Sequence, residues 1–136
     1  MDQTFVICKP DAVERHLAGE IIARFERKGL RLVRAELRTI DRATAERHYA
    51  EHVGKPFFED LVAFITRSPA VLLVVEGPPD PWQGVRTMRG ATNPRAAAPG
   101  TIRGDLAIDM TENLVHGSDS AESAAREIAI FFPGAA

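Results

Sequence analysis

The stretch Asn113 to Ser120 reads NLVHGSDS and places His116 at the end of a short apolar run, ahead of Gly117, Ser118, Asp119 and Ser120. Histidine has an ordinary pKa of about 6.5, so near pH 7 much of it carries a free ring lone pair. At a strand end before a helix N-terminus, where backbone N–H groups and a partial positive charge gather, such a ring is placed to meet an anionic substrate. The chemistry this points to is nucleophilic: His116 taking and passing on a phosphoryl group. Its second ring nitrogen needs an orienting partner, for which Glu127 and a backbone carbonyl are the candidates. Phosphoryl transfer asks mainly for positioning and charge neutralisation. Arg86 and Arg103 can grip phosphate oxygens with planar forks, Lys9 can act as a point charge, and Thr92 offers a hydroxyl.

Other readings compete. A lone histidine in a small domain is usually a surface or satisfied core residue, and a lone Lys9 is usually a solvated charge. His16, His48 and His52 are expected at the surface, and Cys8 inside a strand. No histidine–carboxylate cluster points to a permanent metal site. The chain lacks GxxxxGK[ST] and the glycine-rich kinase loop, so neither can cradle the phosphates.

The elements that must position these groups follow from periodicity. Thr4 to Cys8, TFVIC, and Val71 to Glu76, VLLVVE, are continuous apolar runs and predict buried strands. Val33, Ala35 and Leu37 alternate with Arg34, Glu36 and Arg38, which predicts a strand with one wet face. Leu17 to Lys28 is an amphipathic helix with a Glu20–Arg24 pair, stopped at Gly29. Asp41 can cap a helix to about Tyr49, and Pro56 suits the first turn of another to about Arg67. Trp82 to Arg89 predicts a helix, Ala91 to Gly104 an irregular functional loop, and Ala121 to Phe132 a final helix with Asp119 in the capping role opposite Glu122. Phe57 could be core or an exposed ring.

With 136 residues, 45% hydrophobic and 26% charged, the chain predicts one globular domain over 1–136. A net charge of -2 gives no bias toward nucleic acid or a membrane surface. No signal pattern or bilayer-length apolar run stands out, and a cytoplasmic location is the default expectation. The order of elements predicts an α+β or α/β sandwich on one small sheet.

Five segments in register resemble the nucleoside diphosphate kinase family: FVICKPDAV from Phe5, HYAEHVGKPFF from His48, RGATNPRAAAPGTIRGDL from Arg89, NLVHGSDSAESAAREI from Asn113, and the closing REIAIFFPG. The resemblance implies a ferredoxin-like α/β sandwich with a four-stranded antiparallel sheet. It implies ping-pong transfer of the γ-phosphoryl group of a nucleoside triphosphate to a nucleoside diphosphate through Nδ1 of His116. Mg²⁺ would come with the nucleotide phosphates. Matched by position, Lys9 reaches the ribose and phosphate, Asn113 the ribose 3′-hydroxyl, and Arg86, Thr92 and Arg103 the terminal phosphates. Tyr49 sits near the histidine, Phe57 stacks on the base, and Ser118 and Glu127 support His116. Assembly as a hexamer, or alternatively a tetramer, is implied as well. Met110 stands where the family often has a smaller apolar residue, and its thioether could pack on the base opposite Phe57. A non-catalytic nucleotide-binding module and a histidine phosphocarrier are the competing functions.

Overall fold

The computed structural model describes residues 1–134, so the last two positions of the expected domain lie outside the described range. Its frame is a sheet of four antiparallel strands in the order β2-β3-β1-β4, with β1 Asp2–Cys8, β2 Arg31–Arg38, β3 Ala70–Gly77 and β4 Val115–Gly117. β1 and β3 occupy the middle and are buried on both faces, which is why their sequences are unbroken apolar runs. Phe5, Ile7, Leu72 and Val74 face one core, and Val6, Cys8, Leu73 and Val75 face the other.

Helices cover each face. The first core is closed by α3 (Arg42–His48), α4 (Phe58–Thr66) and α7 (Ala121–Phe131), through Ala45, Val62, Ile65 and Phe131. The second is closed by α1 (Pro10–Glu14), α2 (Ala18–Lys28), α5 (Pro81–Arg89) and α6 (Ile102–Leu106), through Ala12, Ile21, Phe25, Val85 and Ile102. This α+β sandwich agrees with the expected four-stranded antiparallel sheet covered by helices. No helix of the described residues is long and apolar enough to cross a membrane.

Several local expectations are corrected. The register of β2 on β3 shifts between Leu32 and Arg34, so Leu32 and Val33 are both partly buried while Leu37 is 64% exposed. A bulge breaks strict alternation, and the inward face expected for Val33, Ala35 and Leu37 does not persist. The loop expected through Gly104 ends earlier, because Thr101 caps α6 by accepting a hydrogen bond from the Gly104 amide at 3.0 Å. Helix α4 begins at Phe58, leaving Pro56 in the preceding turn. The cap of α7 is Ser120, whose hydroxyl accepts from the Ser123 amide at 3.0 Å, and Asp119 does not fill that role.

Candidate active site

His116 is the middle residue of β4 and pairs with Ile7 of β1. Cross-strand partners share a face, so its side chain rises on the side covered by α3 and α7. There Glu127 of α7 receives it: the two are 2.8 Å apart, Nε2 to Oε1. An ionised carboxylate only accepts, so Nε2 carries the ring proton and Nδ1 keeps the lone pair. The Ser118 hydroxyl donates to the same carboxylate oxygen at 2.7 Å. Burial alone would raise the Glu127 carboxyl, but the bonds from His116 and Ser118 hold it below the ordinary carboxylate value. The second nitrogen of His116 is thus oriented by Glu127, the side-chain candidate, and Ser118 acts on the carboxylate rather than on the ring.

His116 is not walled off: its side chain is 23% exposed and lines a cavity of about 450 Å³ with His48, Tyr49, His52, Ser123, Arg126 and Glu127. A slightly larger hollow of about 510 Å³ lies between Met1, Trp82 and Ala125, away from every one of these groups.

His48 is a correction. Expected at the surface, it is buried, with its ring edge-on to His116 at 4.7 Å and 89°. Burial above all pushes its pKa down to about 3, so it is neutral at physiological pH. His16 is exposed and His52 half-buried. Helical spacing signals the burial of His48, since Thr44, Ala45 and His48 fall on one face of α3, and all three are buried. A histidine–carboxylate group that sequence order hides is also present, for His48, His116 and Glu127 converge. Beyond His48, the Tyr49 ring is 4.7 Å away, and His52 leads on to Phe57 at 5.3 Å. Burial raises the Tyr49 phenol to about 12. Phe57 is 45% exposed, which settles its packing in favour of a free ring.

A second, cationic group reaches β4 through Arg103, which bonds the Val115 carbonyl next to His116 in the chain. The Lys9 ammonium donates to Asn113 Oδ1 at 2.9 Å, and the Asn113 amide donates to the Thr92 and Met110 carbonyls at 3.2 and 2.9 Å. Burial, followed by the charge of Arg103, lowers Lys9 to about 8. Arg103 is buried and donates to the carbonyls of Asn113 and Gly90 at 3.3 Å each, and to that of Val115. Burial and neighbouring Arg89 lower it to about 10, which leaves it charged at neutral pH. Arg89 is likewise buried and meets Asp119, the residue before the cap, at 3.1 Å. Arg86 lies exposed on α5, and Thr92 and Met110 are exposed on the loop. The structure therefore links Lys9, Asn113, Thr92, Met110 and Arg103 directly, and separately His116, Ser118 and Glu127. Tyr49 joins the second group through the cavity, while Arg86 and Phe57 stand at the periphery.

Two further residues support this arrangement. Leu114 has φ of +74°, a strained value for a branched side chain, directly before β4. Asp11 holds it by accepting from the Leu114 amide at 3.1 Å. Sequence alone gives Asp11 and Arg89 no role in the site, because each acts on a partner far away in the chain.

Comparison with known proteins places the chain in a family. The family model described as Nucleoside diphosphate kinase matches residues 2–136. A nucleoside diphosphate kinase of Parafrankia sp. is 55% identical over 133 residues, covering 98% of this chain and 96% of the relative. That of Thermobifida fusca is 56% identical, covering 98% of each. Among solved structures, a halophilic nucleoside diphosphate kinase from Halobacterium salinarum in complex with CDP superposes with a TM-score of 0.93 at 49% identity, covering 97% of this chain and 88% of its own. A family protein from Babesia bovis gives 0.94 at 44% identity, covering 98% and 89%. With the match spanning nearly its whole length at more than half identity, the chain belongs to the nucleoside diphosphate kinase family.

Proposed function

We propose that the protein transfers the γ-phosphoryl group of a nucleoside triphosphate to a nucleoside diphosphate through a phosphohistidine at His116. The observation that carries this reading is the 2.8 Å bond from His116 Nε2 to Glu127, which fixes the proton on one nitrogen and frees the other for attack. The Nδ1 lone pair forms the N–P bond as the bond from phosphorus to the bridging oxygen breaks, and the diphosphate leaves with that electron pair. A second diphosphate then attacks the phosphohistidine by the reverse path. Ring protonation needs no separate acid, because Glu127 holds the Nε2 proton and stabilises the positive charge that develops on the ring.

Lys9, Arg86, Arg103 and Thr92 are assigned to the phosphates, Lys9 and Asn113 to the ribose, and Tyr49 to the neighbourhood of the transferred group. Arg103 spends three N–H groups on carbonyls, which leaves two of its five for a ligand. Phe57 and Met110 are assigned to the base, both being exposed large hydrophobic side chains. Stacking has little base preference, which suits several nucleotides. Mg²⁺, when bound with the nucleotide, neutralises phosphate charge, and the phosphate oxygens hold it, since the protein groups assigned there are cationic or neutral. Self-association to a hexamer, or alternatively a tetramer, is supported by exposed Leu37 on the edge strand β2 and by exposed Ile108. A cytoplasmic location fits the absence of a spanning helix among the described residues, and neither a nucleic-acid nor a membrane partner is called for by a net charge of -2.

The test is incubation with γ-labelled ATP and Mg²⁺, followed by a GDP chase. An acid-labile, base-stable label that passes to GDP and is absent in His116→Ala is the expected result. A label on His116 that does not move to free diphosphates would instead indicate a phosphocarrier. Nucleotide binding without label would indicate a regulatory module.

A further inference from the structure

We propose that His48, His116 and Glu127 form a reversible inhibitory site for a borderline divalent cation of the Zn²⁺ class, distinct from the nucleotide-borne Mg²⁺. One ligand atom from each residue lies within 4.8 Å of the other two. Two imidazoles and one carboxylate are a donor set that suits zinc and not the harder magnesium ion, which prefers oxygen. Ligands about 2.0–2.1 Å from a tetrahedral metal stand roughly 3.3 Å apart, so closure requires side-chain shifts on the order of 1 Å.

His48 is the residue that calls for this explanation. Its Nδ1 is buried without a hydrogen-bond partner, a costly state for a polar nitrogen. Neither the phosphoryl transfer nor the fold core gives that nitrogen a task. The adjoining cavity, reached by both histidines, leaves room for water or an anion as a fourth ligand. Opposing charge limits the affinity: Arg126 and Lys9 bring positive charge toward His48, while Glu127 brings negative charge. The site is therefore a reversible one and not a structural metal centre.

Occupation would silence the nucleophile through either ring nitrogen. Coordination at Nδ1 takes the attacking lone pair. Coordination at Nε2 breaks the bond to Glu127 and sends the ring proton to Nδ1, with no net proton gained or lost. The binding claim stands by itself, whereas the inhibitory consequence rests on the phosphohistidine reading above.

The experiment uses the full chain free of nucleotide, with ZnCl₂ as probe in calorimetry and Co²⁺ as its spectroscopic stand-in. The expected result is one ion per chain and the visible Co²⁺ absorption of a four- or five-coordinate site, both lost in His48→Asn and in His48→Phe, which keeps a ring against His116. With Mg²⁺ in excess, Zn²⁺ equimolar to the chain should slow labelling of His116 at least tenfold, and His48→Asn should label without that sensitivity. Protein phosphorylated beforehand should no longer take up the ion. The proposal is overturned if the His48 variants bind as the parent does. It is overturned too if binding disappears instead in His52→Asn, which would place the ion at the His52–Glu51 pair, 3.7 Å apart. Should the His48 variants fail to fold, equal uptake by the parent and its phosphorylated form would overturn it. If no phosphoenzyme forms at all, the proposed function fails while the Co²⁺ spectrum still decides the site.

Discussion

Lys9 is the residue whose charge responds most directly to pH. Its folded value, about 8, lies below the ordinary value for lysine, so its positive charge is complete well below pH 8 and is lost as pH rises through it. The expected kcat/KM therefore declines above about pH 8, and Lys9→Arg moves that decline upward, because a guanidinium stays protonated; a pH–rate profile of both proteins checks this. Glu127→Gln keeps an oxygen to accept from Nε2 but removes the charge that stabilises the ring as it becomes cationic. Exchanging a charge-assisted bond for a neutral one costs about 1–1.5 kcal/mol and should slow phosphoenzyme formation about five- to tenfold, measured in a single turnover. Ser118→Ala, which removes a second bond to the same oxygen, should cost about fivefold, near 1 kcal/mol. Met110→Val tests the base assignment: the ratios of turnover among several diphosphates should change, and identical ratios would reject a role for the thioether.

At the level of elements, the end of α7 separates two candidate caps. Ser120→Ala should lower stability by about 1 kcal/mol in denaturant unfolding, since it removes the observed cap. Asp119→Ala should leave the helix cap intact and instead free Arg89, whose carboxylate partner it is. Sequence alone favours Asp119 because DSAE fits the capping-box spacing, and neither its ion pair with Arg89 of α5 nor the one-residue shift of the cap to Ser120 shows in local pattern. The strands β1 and β3, helix α2 and the functional motif around His116 were legible, because runs, periods and contiguous motifs are local signals. The bulge in β2, the burial of His48 and the carbonyl-bound state of Arg103 were not, because each is decided by a partner distant along the chain. Helix α6 was missed for a related reason: it is five residues long and contains Gly104. A Cβ at Gly104 would lie 2.0 Å from the Ala98 carbonyl oxygen, so Gly104→Ala should displace α6 and the Arg103 beside it, with loss of both stability and activity.

For the whole molecule, the interplay of exposure and edges matters most. Leu37 is 64% exposed and Ile108 76%, and β2 leaves one side of its ladder open. Sedimentation should find an assembly larger than the monomer, and Leu37→Lys should shift it toward smaller species if β2 lies in a contact. The sheet also treats its members unequally: β1 is paired with β3 along its whole length and with β4 over Val6 to Cys8, whereas β4 is three residues long and bonded on one side. The nucleophile is therefore carried on the rim of the sheet and not in its best-secured part. Amide exchange around His116 should outpace that of Phe5 to Ile7, and in rising urea catalytic competence should vanish before the far-ultraviolet signal does. Turnover, in this protein, would be an earlier alarm for damage than the loss of its shape.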